Sequence, residues 1–220
     1  MKRLLLSSKG LRNKALIPIL EKLNGKPFSE TTLTFVPSAM HFSSSDKHWF
    51  FEENNPIAEL GLKELQIAEL WALPRVLILE RFSKADILFF SGGHAPSFLH
   101  VLEEKELVEP LKQMLKDKIY FGSSATSQAA GPDLLTSNQE KIDSYNELTG
   151  YKPESGLGLV DFYTRAHYKS PKHKQYNKEY VEDLATKTEK KIYAIDDGTA
   201  VLVKDTEISV VGGGEYLVLN

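Results

Sequence analysis

The chain has 220 residues, 41% of them hydrophobic and 26% charged, with a formal net charge of −3 and no cysteine. This balance suits one α/β domain over residues 1–220 with a substantial core. It excludes disulfide frames, thiolate nucleophiles and cysteine metal cages, and it offers no basic surface to nucleic acid or an anionic membrane. The opening Met1 to Ser8 has too short an apolar run for a signal peptide, and no run approaches the length of a membrane span. A cytoplasmic protein is expected.

Arg3 to Ser7 reads as a buried strand. Lys14 to Leu23 carries Ala15, Leu16, Ile19, Leu20 and Leu23 at helical spacing, and Asn24-Gly25 ends that helix. Thr31 to Val36 is a second strand, broken at Pro37-Ser38. A polar loop follows with His41, Ser43, Ser44, Ser45 and Asp46, then the aromatic group His48, Trp49, Phe50 and Phe51, read as a packed loop in preference to a lid. Ala58 to Leu73 reads as a helix stopped by Pro74, and Val76 to Leu79 as a short strand. Asp86 to Phe90 is another strand, closed by Ser91-Gly92-Gly93-His94. Helices are expected over Pro96 to Leu102 and Leu107 to Leu115.

Lys118 to Ser123 is an apolar run that stops at Gly122-Ser123-Ser124-Ala125-Thr126 and turns at once into a helix. A strand halted at Gly-x-Ser before a helix suggests a nucleophile elbow, in which the tight turn pushes a serine side chain into a cleft. The plainer alternative is a strand-to-helix turn capped by Ser123 or Ser124. Further on, Gly156 to Val160 is apolar and leads into Asp161 to Tyr168. Lys169 to Lys178 reads as a solvated basic loop, and Glu179 to Lys187 as a helix. Lys191 to Ile195 is a strand ending in a hairpin-type turn at Asp196-Asp197-Gly198. Ala200 to Val203, Ile208 to Val211 and Glu215 to Leu219 are short strands, with Gly212-Gly213-Gly214 as a hairpin turn. Strands alternating with helices imply a mostly parallel sheet covered on both faces, with an antiparallel end.

Serine hydrolysis needs a nucleophile, a base, an acid to orient the base, and oxyanion donors. Ser124 is the nucleophile candidate, and the Ala125 amide and the Gly92-Gly93 backbone are candidate donors. His41, His94 and His167 follow strand-like runs, and His167 has the best context for a base. His48, His100 and His173 look structural or solvated. Asp196, Asp197 and Asp161 are all open as the acid. The scattered histidines give no metal-ligand spacing.

The order of these features resembles the dipeptidase E and cyanophycinase family of serine peptidases. The landmarks are Phe35-Val36-Pro37-Ser38-Ala39, Ala85 to Gly93, Gly122-Ser123-Ser124-Ala125, Gly156-Leu157-Gly158-Leu159 and Ala166-His167-Tyr168. The resemblance implies a flavodoxin-like or glutamine-amidotransferase-like α/β/α sandwich. It implies Ser124 as nucleophile, His167 as base and Asp197 as triad acid, with Asp196 the neighbouring choice. It also implies hydrolysis of short peptides, including dipeptides with an N-terminal aspartate, with no metal or cofactor, and it is compatible with a homodimer. Ser91, His94, Thr126 and Asn138-Gln139 depart from the family pattern. They motivate two alternatives: a binding relative that has lost the chemistry, or a serine hydrolase that is not a peptidase.

Overall fold

The computed structural model describes residues 1–42 and 46–220. Ser43, Ser44 and Ser45 of the polar loop lie outside the described residues. The chain runs β1 (Arg3–Ser7), α1 (Leu16–Asn24), β2 (Thr32–Val36), α2 (His48–Asn54), β3 (Glu64–Ile67) and α3 (Arg75–Lys84). It continues through β4 (Ile87–Phe90), α4 (Ala95–Glu104), α5 (Val108–Met114), β5 (Ile119–Ser123), α6 (Ala125–Ala129) and α7 (Gln139–Thr149). It ends with β6 (Tyr163–Arg165), α8 (Lys178–Ala185), β7 (Ile192–Ile195), β8 (Ala200–Lys204), β9 (Glu207–Val211) and β10 (Tyr216–Leu219).

Among the described residues, seven strands form one sheet in the order β3-β2-β4-β5-β1-β8-β9. The first five are parallel, and β8 and β9 add antiparallel at the β1 side. Successive strand side chains alternate between two cores, as a pleat requires. Leu4, Leu6, Leu88, Phe90 and Tyr120 pack beneath α3, α4 and α5. Leu5, Ile87, Phe89, Ile119 and Phe121 pack beneath α1 on the other face. This is the expected α/β/α layering with a mostly parallel sheet. A smaller sheet, β10-β7-β6, lies beside it and carries α8. None of the described helices is long and apolar enough to cross a membrane.

Several elements differ from the sequence reading. Residues 58–73 do not form one helix. A 3-10 turn over Asn55–Glu59 is broken by Gly61 at φ 66°, and residues 64–67 pair with β2 as an edge strand. Pro74 begins a helix rather than ending one, because its carbonyl accepts the amides of Leu77 and Ile78. Val76 to Leu79 therefore lies in α3, where Ile78 and Phe82 face the core four residues apart. A short apolar run does not by itself separate strand from helix. Helix α7 has no counterpart in the sequence reading.

The apolar residues 156–160 form neither strand nor helix. Their amides instead bond to carbonyls at the end of α6, Leu157 to Ala129 at 2.7 Å and Leu159 to Ala130 at 2.9 Å. Neither late turn is a hairpin, since β7 and β10 belong to the small sheet and β8 and β9 to the large one. Asp196-Asp197-Gly198 and Gly212-Gly213-Gly214 are the two points where the chain passes between the sheets.

Candidate active site

The carboxyl ends of β1, β5 and β4 lie side by side, so Ser8-Lys9, Ser124 and Gly92-Gly93 emerge together. That edge is where parallel α/β sheets bind ligands. Ser124 stands between β5 and α6 with φ 48° and ψ −104°, a left-handed backbone that a side-chain-bearing residue rarely adopts. The Ser7 carbonyl holds the turn by accepting the Ser124 amide at 2.9 Å and the Ser127 hydroxyl at 2.8 Å. Gly122 is needed where the turn folds back, because a Cβ there would lie 2.9 Å from the Tyr120 ring and 3.0 Å from the Ser127 nitrogen.

Thr126, one of the departures from the family pattern, fits the elbow. Its hydroxyl accepts the Ser123 amide at 2.9 Å and donates to the Phe90 carbonyl at 2.8 Å, tying the elbow to β4.

Ser124 Oγ lies 2.8 Å from His167 Nε2, and His167 Nδ1 lies 2.7 Å from Asp197 Oδ1. His167 follows β6 at φ 64°, and its amide donates to Ser8 Oγ at 2.9 Å. The other carboxylate oxygen of Asp197 takes Lys9 Nζ at 2.7 Å and the Ser170 hydroxyl at 2.6 Å. Burial works to raise the Asp197 carboxyl, but the bonds from His167, Lys9 and Ser170 outweigh it and hold the group well below the usual carboxylate range. Burial lowers His167, and Asp197 opposes that only in part, so the imidazole favours its neutral form. A neutral ring bonded through Nδ1–H to a carboxylate presents Nε2 as an acceptor toward Ser124.

Asp196 serves the turn instead. It accepts the Gly198 amide at 2.9 Å, the Thr199 hydroxyl at 2.5 Å and the Glu215 amide at 2.7 Å. Gly214 closes over it, since a Cβ there would lie 2.2 Å from Asp196 Oδ1. Asp161 is far from this cluster in role, exposed and ion-paired with Lys190.

A cavity of about 380 Å³ opens over these groups. Ser124, Ala125, Gly92, Gly93 and His167 all line it. Ala125 is the first residue of α6, so no carbonyl a turn earlier claims its amide. Gly93 has φ 144°, and a Cβ there would strike the Ala39 carbonyl at 2.1 Å, so this backbone approach is open only to glycine. Arg12, Lys141, Arg165 and Lys172 make the walls strongly cationic. Arg165 is buried, with its guanidinium 3.4 Å from the Tyr176 ring centre.

The remaining histidines divide by position. His94 caps α4, accepting the Ser97 amide at 3.2 Å, and burial followed by the Lys141 charge lowers it to about 4. His41 pairs with Glu69, and His100 meets the Tyr145 hydroxyl at 2.8 Å. His173, read as structural or solvated, lies against His167, 4.6 Å between ring centres with the planes tilted by 33°. Lys172, His173 and Tyr176 place part of the basic segment at the cavity, and Trp49 does the same for the aromatic group. Sequence reasoning missed Ser8, Lys9, Glu53, Arg165 and Ser170. The one available signal for Ser8 and Lys9 was their place directly after a parallel strand.

The model of peptidase family S51 matches residues 4–211. An uncharacterized peptidase of Listeria monocytogenes is 26% identical over 215 residues, covering 94% of this chain and 97% of the relative. Peptidase E of Pasteurella multocida is 26% identical over 196 residues, covering 86% and 78%. Among solved structures, a Listeria monocytogenes protein provisionally described as peptidase E superposes with TM-score 0.80 at 20% identity, over 96% of this chain and 98% of that one. A peptidase from an acI-B1 Actinobacterium superposes with TM-score 0.68 at 16% identity, over 99% and 94%. With the family match running from β1 through the elbow to the end of β9, this chain belongs to peptidase family S51.

Proposed function

We propose that the chain is a serine peptidase of short peptides, with Ser124 as nucleophile, His167 as general base and acid, and Asp197 as the group that orients the imidazole. The observation that carries this reading is the unbroken series of bonds, 2.8 Å from Ser124 to His167 and 2.7 Å from His167 to Asp197. His167 takes the hydroxyl proton as Ser124 Oγ attacks the scissile carbonyl. The resulting oxyanion is held by the backbone N–H groups of Gly93 and Ala125, with Gly92 leaving room beside them, each donor contributing about 3 kcal/mol. Collapse expels the amine with the proton from His167. Water then enters by the same route to free Ser124. Lys9 and Ser170 act through Asp197 as positioning residues.

The substrate class is a short peptide bearing negative charge, with a dipeptide carrying an N-terminal aspartate the first choice. The cationic walls support this, since a carboxylate in a confined cavity gains most from nearby guanidinium and ammonium groups. The peptidase E name of similar proteins supports peptide hydrolysis. Product analysis on a panel of dipeptides tests the reading. Wild-type protein is expected to release free amino acids from acidic dipeptides, and Ser124→Ala to lose this release while melting at nearly the same temperature. Undiminished hydrolysis by Ser124→Ala removes the proposal.

A further inference from the structure

Helix α2 sorts its side chains against their chemistry. Phe51 is 58% exposed, while Glu53 is only 4% exposed. Removing a carboxylate from water costs several kcal/mol unless a cation or strong donors replace the solvent. Glu53 has little such compensation. Among the described residues its one side-chain hydrogen bond, from the Ser123 hydroxyl, is 3.5 Å long. The two cations that act on it are engaged elsewhere, Lys9 with Asp197 at 2.7 Å and Arg12 with Glu52 at 2.8 Å. Among the described residues no ion pair forms on Glu53. Burial accordingly raises its carboxyl to about 8, with Asp197 adding to the rise and Lys9 and Arg12 opposing it.

This under-compensated acid lines the catalytic cavity. The other carboxylate there, Asp46, is exposed and already bonded to His48 at 2.6 Å. Gly92 keeps the space between Ser124 and the Ser123–Glu53 pair open, since a Cβ at that position would lie 3.3 Å from Ser124 Cβ and 3.5 Å from Ser123 Oγ.

We infer that Glu53 is the receptor for the free terminal ammonium of the peptide substrate. This rests on the serine peptidase reading and extends it to which end of the substrate is read. In an N-terminal residue the amine stands on the carbon next to the carbonyl that Ser124 attacks, so it has to be accommodated in this cavity. An ammonium donates up to three bonds and supplies the charge that Glu53 lacks. Lys141, Arg165 and Lys172 in the same cavity accept carboxylates, while Lys9 and Arg12, the cations that act on Glu53, are already paired with Asp197 and Glu52, so the cavity offers both signs of charge that a short zwitterionic peptide requires. Glu53 is thus a specificity-determining residue that excludes peptides with a blocked amino end.

The test follows labelling of Ser124 by a fluorophosphonate and its slowing by aspartyl-leucine or N-acetyl-aspartyl-leucine. In wild type the amino-free dipeptide is expected to protect at a concentration about ten-fold or more below that of the acetylated one, as a lost charged hydrogen bond implies. Glu53→Gln, which keeps size and the Ser123 contact, should erase this preference while Ser124 still labels. Glu53→Asp, which keeps the charge, should restore part of it. Equal protection by both dipeptides in wild type overturns the inference, whatever the folding of the variants. So does a preference retained in labelled Glu53→Gln. Failure of wild-type Ser124 to label at all instead sinks the serine peptidase reading, and the inference with it.

Discussion

Asp196 and Asp197 are adjacent, yet their carboxylates turn to different partners. Asp197 meets His167 Nδ1, Lys9 and Ser170, whereas Asp196 bonds the amides and hydroxyl of its own turn. Asp197→Asn is therefore expected to lower kcat by about 10³ to 10⁴, through the wrong imidazole tautomer, with little loss of fold. Asp196→Ala should do the reverse, costing about 1 to 3 kcal/mol of stability through unsatisfied amides while labelling of Ser124 persists. Paired kinetics and melting curves separate the two. Glu53 supplies a pH signature of its own. Its carboxyl is raised from 4.5 to about 8 in the fold, so the folded state binds the extra proton. Its stabilising share is complete below about 4.5 and is lost as pH rises through about 8. Thermal denaturation of wild type minus Glu53→Gln between these limits should expose this decline. A flat difference contradicts the buried acid.

The elbow is an element that works as a unit. Gly122 lets α6 fold back, the Ser7 carbonyl anchors the Ser124 amide, and Thr126 ties the turn to β4. Thr126→Val keeps the shape but leaves the buried Ser123 amide and Phe90 carbonyl short of a partner. It should cost about 1 to 3 kcal/mol in denaturant unfolding. Strand, turn and helix here were legible in the sequence, because a buried apolar run ending in small residues admits few other readings. So were β1, β2, β4 and α4, for the same reason. The stretch from Ala58 to Leu79 was not, because β3 is an exposed edge strand and Pro74 can start a helix as well as stop one. Ser124 and His167 stood out as candidates in the sequence through their places after strand-like runs, whereas Asp197 was set apart from Asp196 and Asp161 only by the family resemblance. Lys9, Ser170 and Glu53 were not legible, because only the strand order brings residues so far apart in the chain to one carboxylate and one cavity.

At the scale of the whole molecule, the three groups of the proposed triad come from both sheets. Ser124 follows a strand of the large sheet, His167 follows a strand of the small one, and Asp197 lies where the chain passes between them. Phe162, Tyr193 and Ile195 pack into the same core as Leu6 and Val201, so the two sheets share buried surface. Calorimetry should accordingly give one cooperative transition for residues 1–220, with loss of Ser124 reactivity at the same midpoint. Two separated transitions would contradict a single folding unit. The most direct test of the central claim is mass mapping of a fluorophosphonate adduct on the folded protein. The triad predicts one adduct, on Ser124, strongly slowed in both His167→Ala and Asp197→Asn. Folded protein that forms no adduct, or an adduct elsewhere indifferent to His167, would contradict it.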